Sequence, residues 1–393
     1  MYQPSTVVEA QRSPALNKGL LWGAAIAVIV LSLLGWLLGG ELGSFVTAGL
    51  QSWPFTVLAV LAYLGIDRMW ARVLALLWLA LLVAGVGIFG LSFGIVILSG
   101  ANLAQPESLN LANFDAGRFL LMIALMVVSV LIACLAFVPS FRRSQARVLP
   151  IDPDSFVHTI ALAAVISLTL LSFVPLIVLG EPPLLTLVSQ LSGTGQDLTG
   201  GQDDAAMLRA TLYGLVWMVP GAILAVGYAV RRRLSEALAR LGFVWPTIGQ
   251  IGIGVGLALL LVVGVSVLGL GIDRLWELMG WPRTDAEAFG ELLAFAFSPI
   301  GAIVIGVTAG IGEELAVRGV LQPRLGILLS NLFFTALHAF QYNWDSLLVV
   351  FLVGLVFGLI RKRYNTSTSA IAHGVYNFTL IMLAVLQVPG FTE

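Results

Sequence analysis

Cysteine is almost absent from this chain. Cys134 is the single one, which excludes an intramolecular disulfide and a thiolate metal cluster. It sits in the apolar run LIACLAF and reads as a small core or lipid-facing residue. Charge is equally scarce. Only 10% of the 393 residues are Asp, Glu, Lys or Arg, against about 25% in a soluble domain. The net charge of −1 gives no global attraction to nucleic acid or any other charged partner. There are three histidines, no H-E-x-x-H zinc motif and no convincing internal repeat. What fills the chain is hydrocarbon: 59% hydrophobic residues and a mean hydropathy of +0.99. These values define an all-α, polytopic transmembrane helical bundle.

A helix needs about 20 residues to cross the hydrocarbon core. The apolar runs predict spans at 19–40, 45–66, 72–99, 119–139, 157–180, 209–230, 247–271, 291–312 (continuing as helix to 322), 325–342, 346–361 and 366–388. That makes ten to eleven. The first run follows Arg12 and Lys18 and is longer than the h-region of a cleaved signal, so it reads as a retained span. Basic clusters fall on one side: Arg68 with Arg72, Arg142 with Arg143 and Arg147, Arg231 to Arg233 with Arg240, Arg324, and Arg361 to Arg363. Loops on the other side carry Glu107, Asp115, Glu181, Asp197, Asp203, Asp273 and Glu277, broken by isolated arginines such as Arg118 and Arg209. The asymmetry predicts a cytoplasmic N-terminus. The Gly-, Pro- and Gln-rich stretch 181–207 predicts the longest flexible loop. The basic stretch 231–242 reads as a leaflet-surface helix or a solvated linker. It divides a 1–244 region of six spans, of open function, from a 245–393 core. His158 reads as a satisfied residue at a helix end, and Trp276 and Trp281 as an interfacial belt.

The core contains what the rest lacks. Three polar clusters interrupt its apolar helices: Glu313-Glu314-x-x-x-Arg318, Phe334-x-x-x-His338 and His373-x-x-x-Asn377. An ionisable group at such a depth costs roughly 2.5–3.5 kcal/mol on insertion scales and is a functional candidate by default. If Arg324 marks the cytoplasmic surface, Glu314 lies roughly 15 Å and His338 roughly 20 Å below it, at 1.5 Å per residue. His373 lies roughly 15 Å beyond Arg363 on the same count. Glu314 and Arg318 share a helix face and pair in the better order, which leaves Glu313, rotated by about 100°, to face a cavity. Phe334 packs beneath His338. A desolvated glutamate suits a general base, and an asparagine amide is an oxyanion donor. No serine or cysteine stands in these clusters as a nucleophile, so activated water is favoured over covalent catalysis. Glutamate with two histidines is also a zinc ligand set, and spacing alone leaves a divalent metal on Glu313, His338 and His373 open. The pairs Gly354-x-x-x-Gly358 and Gly252 to Gly256 permit close helix packing.

The ordered set Gly312-Glu313-Glu314-x-x-x-Arg318-Gly319, Phe334-x-x-x-His338 and His373-x-x-x-Asn377 resembles the CAAX protease and bacteriocin-processing (CPBP, or Abi) family of intramembrane proteases. It is similar to the type II CAAX prenyl endopeptidases over about 285–388. The resemblance implies an α-helical membrane endopeptidase, catalogued as a metalloprotease or as a metal-free glutamate enzyme. Its substrate would be a membrane-associated peptide or protein, including prenylated CAAX-type ones. By the same resemblance Glu313 and His338 activate water, His373 and Asn377 steady the oxyanion, Glu314 belongs to the site, and Arg318 and Phe334 support it. A proton-coupled transporter, or a catalytically silent membrane scaffold or immunity protein, are the alternatives.

Overall fold

The structure is a computed structural model, and it describes residues 16–100, 114–192 and 203–388. Arg12, Glu107 and Asp197 of the orientation argument lie outside them. Every regular element among the described residues is helical, with no strand. The helices are α1 (Lys18–Leu38), α2 (Gly40–Gly49), α3 (Trp53–Leu64), α4 (Met69–Leu98), α5 (Ala116–Cys134), α6 (Pro139–Gln145), α7 (Phe156–Leu179), α8 (Pro183–Ser192), α9 (Asp204–Ala225), α10 (Leu234–Leu241), α11 (Ile248–Met279), α12 (Ala286–Leu292), α13 (Pro299–Thr308), α14 (Gln322–Ala336), α15 (Trp344–Arg363) and α16 (Thr366–Val385). Between α13 and α14 lies a π-helical segment, Ala309–Leu321.

Nine of these helical stretches are long and apolar enough to cross a membrane, and ten if the bent pair α2–α3 is one broken span. The expected eleventh differs for a local reason. Pro299–Ala336 is one apolar stretch, but Gly326 breaks it with φ 74° and ψ 175°. An unbroken helix would hold positions 318 and 334 about 24 Å apart. Instead the Arg318 guanidinium lies 4.5 Å from the Phe334 ring centroid. The chain therefore doubles back at Gly326, where glycine tolerates the positive φ. The return arm is helical over 327–336, about 15 Å, and continues in turns to 341. The stretch expected as a span at 325–342 is this return arm: it starts with Leu325 clustered with Ile160 near the start of α7 and ends with Ala339 packed on Leu176 and the Phe340 carbonyl accepting the Leu184 N–H at 2.8 Å, beyond the end of α7.

Burial is uneven. In α7, 72% of the apolar window is buried, against 6% in α1. α7 is apolar on every face and lies at the centre of the bundle, as such a helix must. Its Ile160, Leu162 and Ala163 pack in one cluster with Tyr63 of α3 and Leu325 of α14. Cys134 lies on the outer surface.

Three expectations are corrected here. Arg324 is no surface marker: it is buried, with its guanidinium on the Tyr63 hydroxyl and on Val320 O at 3.1 Å. A cation that finds a hydroxyl, a carbonyl and a ring inside the bundle has no need to reach the headgroups. The stretch 181–207 begins with a helix, α8, whose Leu185 and Val188 pack against Ala288 of α12. The stretch 231–242 is not a solvated linker but a helix packed on the bundle. α10 buries Ala237 and Leu241 in a cluster with Leu315 of the π segment, and Arg240 Nη1 reaches Gly319 O at 3.3 Å. The expected role of His158 agrees with its contacts: its Nδ1 accepts the Asp152 N–H at 2.7 Å.

Candidate active site

The first polar cluster lies in the π segment. Its closing bond, from Gln322 N–H to Val317 O, spans five residues. The sequence pattern predicted an ordinary α-helix. π geometry is rare and recurs at functional sites. Small residues at 309, 310 and 312 leave little side-chain bulk to oppose the wider coil, and they let α16 come close. A Cβ on Gly310 would stand 2.6 Å from Ala370 O, and one on Gly374 would stand 2.8 Å from Gly306 O. Backbone against backbone, this contact brings the two glutamates to His373.

Glu314 is fully buried and surrounded by partners. Its Oε1 is 3.2 Å from Arg318 Nη1 and 3.0 Å from His373 Nδ1, and its Oε2 accepts the Ser369 hydroxyl at 2.5 Å. A carboxylate can only accept, so His373 Nδ1 carries the hydrogen and Nε2 is the nitrogen left to act. Phe357 holds the same imidazole from its face, centroids 4.5 Å apart and planes at 22°. Arg318 pairs with Glu314 as expected. It also donates to Gly354 O at 2.9 Å and packs on Phe334. Buried charge on this scale persists only when each partner is itself held.

Glu313 differs from its neighbour. Its side chain is 41% exposed, with Oε2 3.9 Å from His373 Nε2. It opens into a cavity of about 620 Å³ beside Thr308 and Gly312, within the roughly 300–1,000 Å³ of ligand sites. The two carboxylates thus differ in their surroundings: one is neutralised and buried, the other presented to open space.

His338 sits at the tip of the return arm. Its Nδ1 donates to Phe334 O at 2.9 Å, which frees Nε2. The Phe334 ring meets it edge-on, centroids 4.8 Å apart at 65°, rather than lying flat beneath it, and meets His373 at 6.2 Å and 89°. Tyr342 stacks on its other side at 5.9 Å and 15°. Phe334 is thus the common wall of the two histidines and of Arg318. Asn377 lies one turn beyond His373 on α16, half-buried, and its amide is unbonded among the described residues. Glu313, Glu314, Arg318, Phe334 and His373 come together directly, His338 joins through Phe334, and Asn377 makes no hydrogen bond to the others.

Sequence reasoning missed Ser369, Phe357, Tyr342 and Asn331. Only Ser369 carried a signal: it stands four residues before His373, so both reach one carboxylate from one helix face. Among the described residues no group of three or more His, Cys, Asp or Glu side chains is arranged to hold a metal ion. Both histidines spend Nδ1 on neighbours, so their Nε2 atoms, with Glu313 3.9 Å from that of His373, are the groups a metal would take.

Two carboxylates, two oriented imidazoles and an amide are thus carried by the helices of one multi-pass bundle. Residues 295–379 match the family model described as type II CAAX prenyl endopeptidase Rce1-like, which is consistent with the CPBP family resemblance. The match lies inside the stretch of resemblance read from the sequence and spans all three clusters. No curated protein matches the chain, and no solved structure does.

Proposed function

We propose that the protein is an intramembrane endopeptidase that hydrolyses a peptide bond of a membrane-associated or prenylated CAAX-type substrate with a Glu313-activated water. The remaining basic clusters on one side support a cytoplasmic N-terminus. The observation that carries the reading is the asymmetry of the glutamates: Glu314 is consumed by Arg318, His373 and Ser369, while Glu313 faces a cavity beside His373 Nε2.

Glu313, with His338 Nε2 as the second acceptor, positions a water and takes its proton as oxygen attacks the carbonyl carbon. The Asn377 amide donates to the resulting oxyanion, and so does His373 when Nε2 is protonated. Glu314 holds that ring in register through Nδ1, as carboxylates commonly do for working histidines. Collapse breaks the C–N bond, and the proton held by Glu313 passes to the leaving amine. The products are a carboxylate and an amine.

The test is cleavage by the purified protein in detergent, with farnesylated CAAX peptides and leader-type peptides, with and without chelator. Cleavage that survives chelation and disappears in Glu313→Gln is the expected result. Cleavage retained by Glu313→Gln would move the base elsewhere. Loss on chelation, restored by Zn²⁺, would replace the metal-free scheme. Proton-coupled uptake in liposomes with no peptide cleavage would make the protein a transporter.

A further inference from the structure

The cavity that receives Glu313 is only half built by the segment that matches the family model. Its opposite wall comes from α2, α9 and the break between α2 and α3, through Ser44, Thr47, Gln51, Thr211 and Gly214. These residues all lie outside the matched segment 295–379.

Three observations single out this wall. First, Thr211 spends its hydroxyl on Met207 O at 2.9 Å, but the other polar side chains of the wall are unspent. Serines and threonines on other helices of the bundle return their hydroxyls to the carbonyl four residues back, as Ser129, Ser167, Ser266 and Thr379 do. Ser44, Thr47 and Gln51 make no side-chain hydrogen bond among the described residues. Second, the wall contains a broken helix. α2 and α3 meet at 46°, and Gln51 stands in the break. Irregular backbone at membrane depth is tolerated where it lines a cavity, and broken helices mark binding sites in membrane proteins. Third, space is reserved for the Gln51 amide. A Cβ on Gly214 of α9 would come 3.3 Å from Gln51 Oε1, so glycine there lets the amide lie across α9.

The wall is also held in place. Glu41 of α2 pairs with Arg209 Nε at 3.0 Å and accepts from the Tyr213 hydroxyl. Trp217 Nε1 donates to Phe45 O at 2.8 Å. A fixed wall with unspent donors and acceptors is what an extended peptide needs on leaving water. Each residue of such a strand brings one N–H and one C=O, and both are costly to bury unpaired. A glutamine side chain offers one of each.

We infer that the α2–α9 wall seats the extended backbone of the substrate peptide, with Gln51 as its anchor. The N-terminal region then belongs to the substrate site. This inference rests on the peptidase reading above.

The test uses the full-length protein in detergent and whichever peptide the wild type cleaves. Gln51→Leu removes the amide at similar size, and Gly214→Leu fills the space it occupies. Both should raise KM about three- to tenfold, the worth of one or two hydrogen bonds, with kcat within about twofold. A photo-crosslinking residue at position 211 in the Glu313→Gln protein should capture the intact peptide. The same residue at Leu77, which is 56% exposed on α4, should not. Cleavage by the wild type with KM unchanged in both variants overturns the inference and leaves the peptidase reading standing. So does crosslinking at 211 to lipid rather than peptide. A wild type that cleaves none of the peptides, with no capture at 211, overturns both.

Discussion

Neighbouring glutamates in one motif invite the assumption that they share a task, and their surroundings argue otherwise. Glu313→Gln keeps size and loses the base, so peptide cleavage should fall below detection while the melting temperature in detergent stays within a few degrees. Glu314→Gln should lower stability as well as rate, because it leaves Arg318 buried without a counter-charge and loosens His373. The comparison of melting temperatures and turnover for the pair checks this, and equal effects in both variants would sink the division of labour. Arg318→Ala should be worse for yield than either. Breaking one side of a buried pair costs roughly 3–5 kcal/mol, and Arg318 also supports Gly354 O and Phe334. A stable, fully active Arg318→Ala protein would be the wrong outcome.

Among the helices, glycine decides which faces meet. The hairpin folded at Gly326 docks on α15 through polar bonds to backbone: Asn331 Nδ2 to Phe351 O at 2.8 Å, Arg318 to Gly354 O, and Gln322 Nε2 to Gly358 O at 2.8 Å. A Cβ at Gly354 would stand 2.0 Å from Asn331 Oδ1. Gly354→Ala should therefore destabilise the protein, and Asn331→Ala should recover part of the loss. A double-mutant cycle on thermal stability reads this coupling, and strict additivity would refute it. At Gly374 the obstacle is the Gly306 carbonyl, which no side-chain truncation removes. Gly374→Ala should push α16 from the π segment, costing about 1–3 kcal/mol and most of the cleavage activity.

At the scale of the whole molecule, the two halves share their interior. Leu325 is buried among α7 side chains, Arg324 gives its guanidinium to Tyr63, and α9 walls the Glu313 cavity. Residues 245–393 expressed without 1–244 should accordingly aggregate or melt early and cleave no peptide, while co-expression of the two pieces should restore activity. A well-behaved, active 245–393 fragment would show that the N-terminal helices are dispensable.

Composition and apolar run length alone determined that this is a multi-pass helical protein, since hydrocarbon admits few other backbones. Most spans were legible to within a few residues for the same reason. The site was legible as residue types because charge is so costly in lipid that Glu313, Glu314, Arg318, His338 and His373 stand out against their surroundings. Pairing of Glu314 with Arg318 followed from helical spacing. Other features lie beyond local pattern. The reversal at Gly326 depends on a φ that only contacts 318–334 reveal, and Arg324 reads as a surface residue until Tyr63 is seen beside it. The grip of Glu314 on His373 joins helices whose relative rotation is set by the backbone approach of Gly310 and Gly374. The wall facing Glu313 comes from residues some hundred to nearly three hundred positions earlier in the chain. Spacing along a chain encodes which residues share a helix face. Which faces meet is decided by packing among helices that are all apolar, and that is a property of the folded bundle alone.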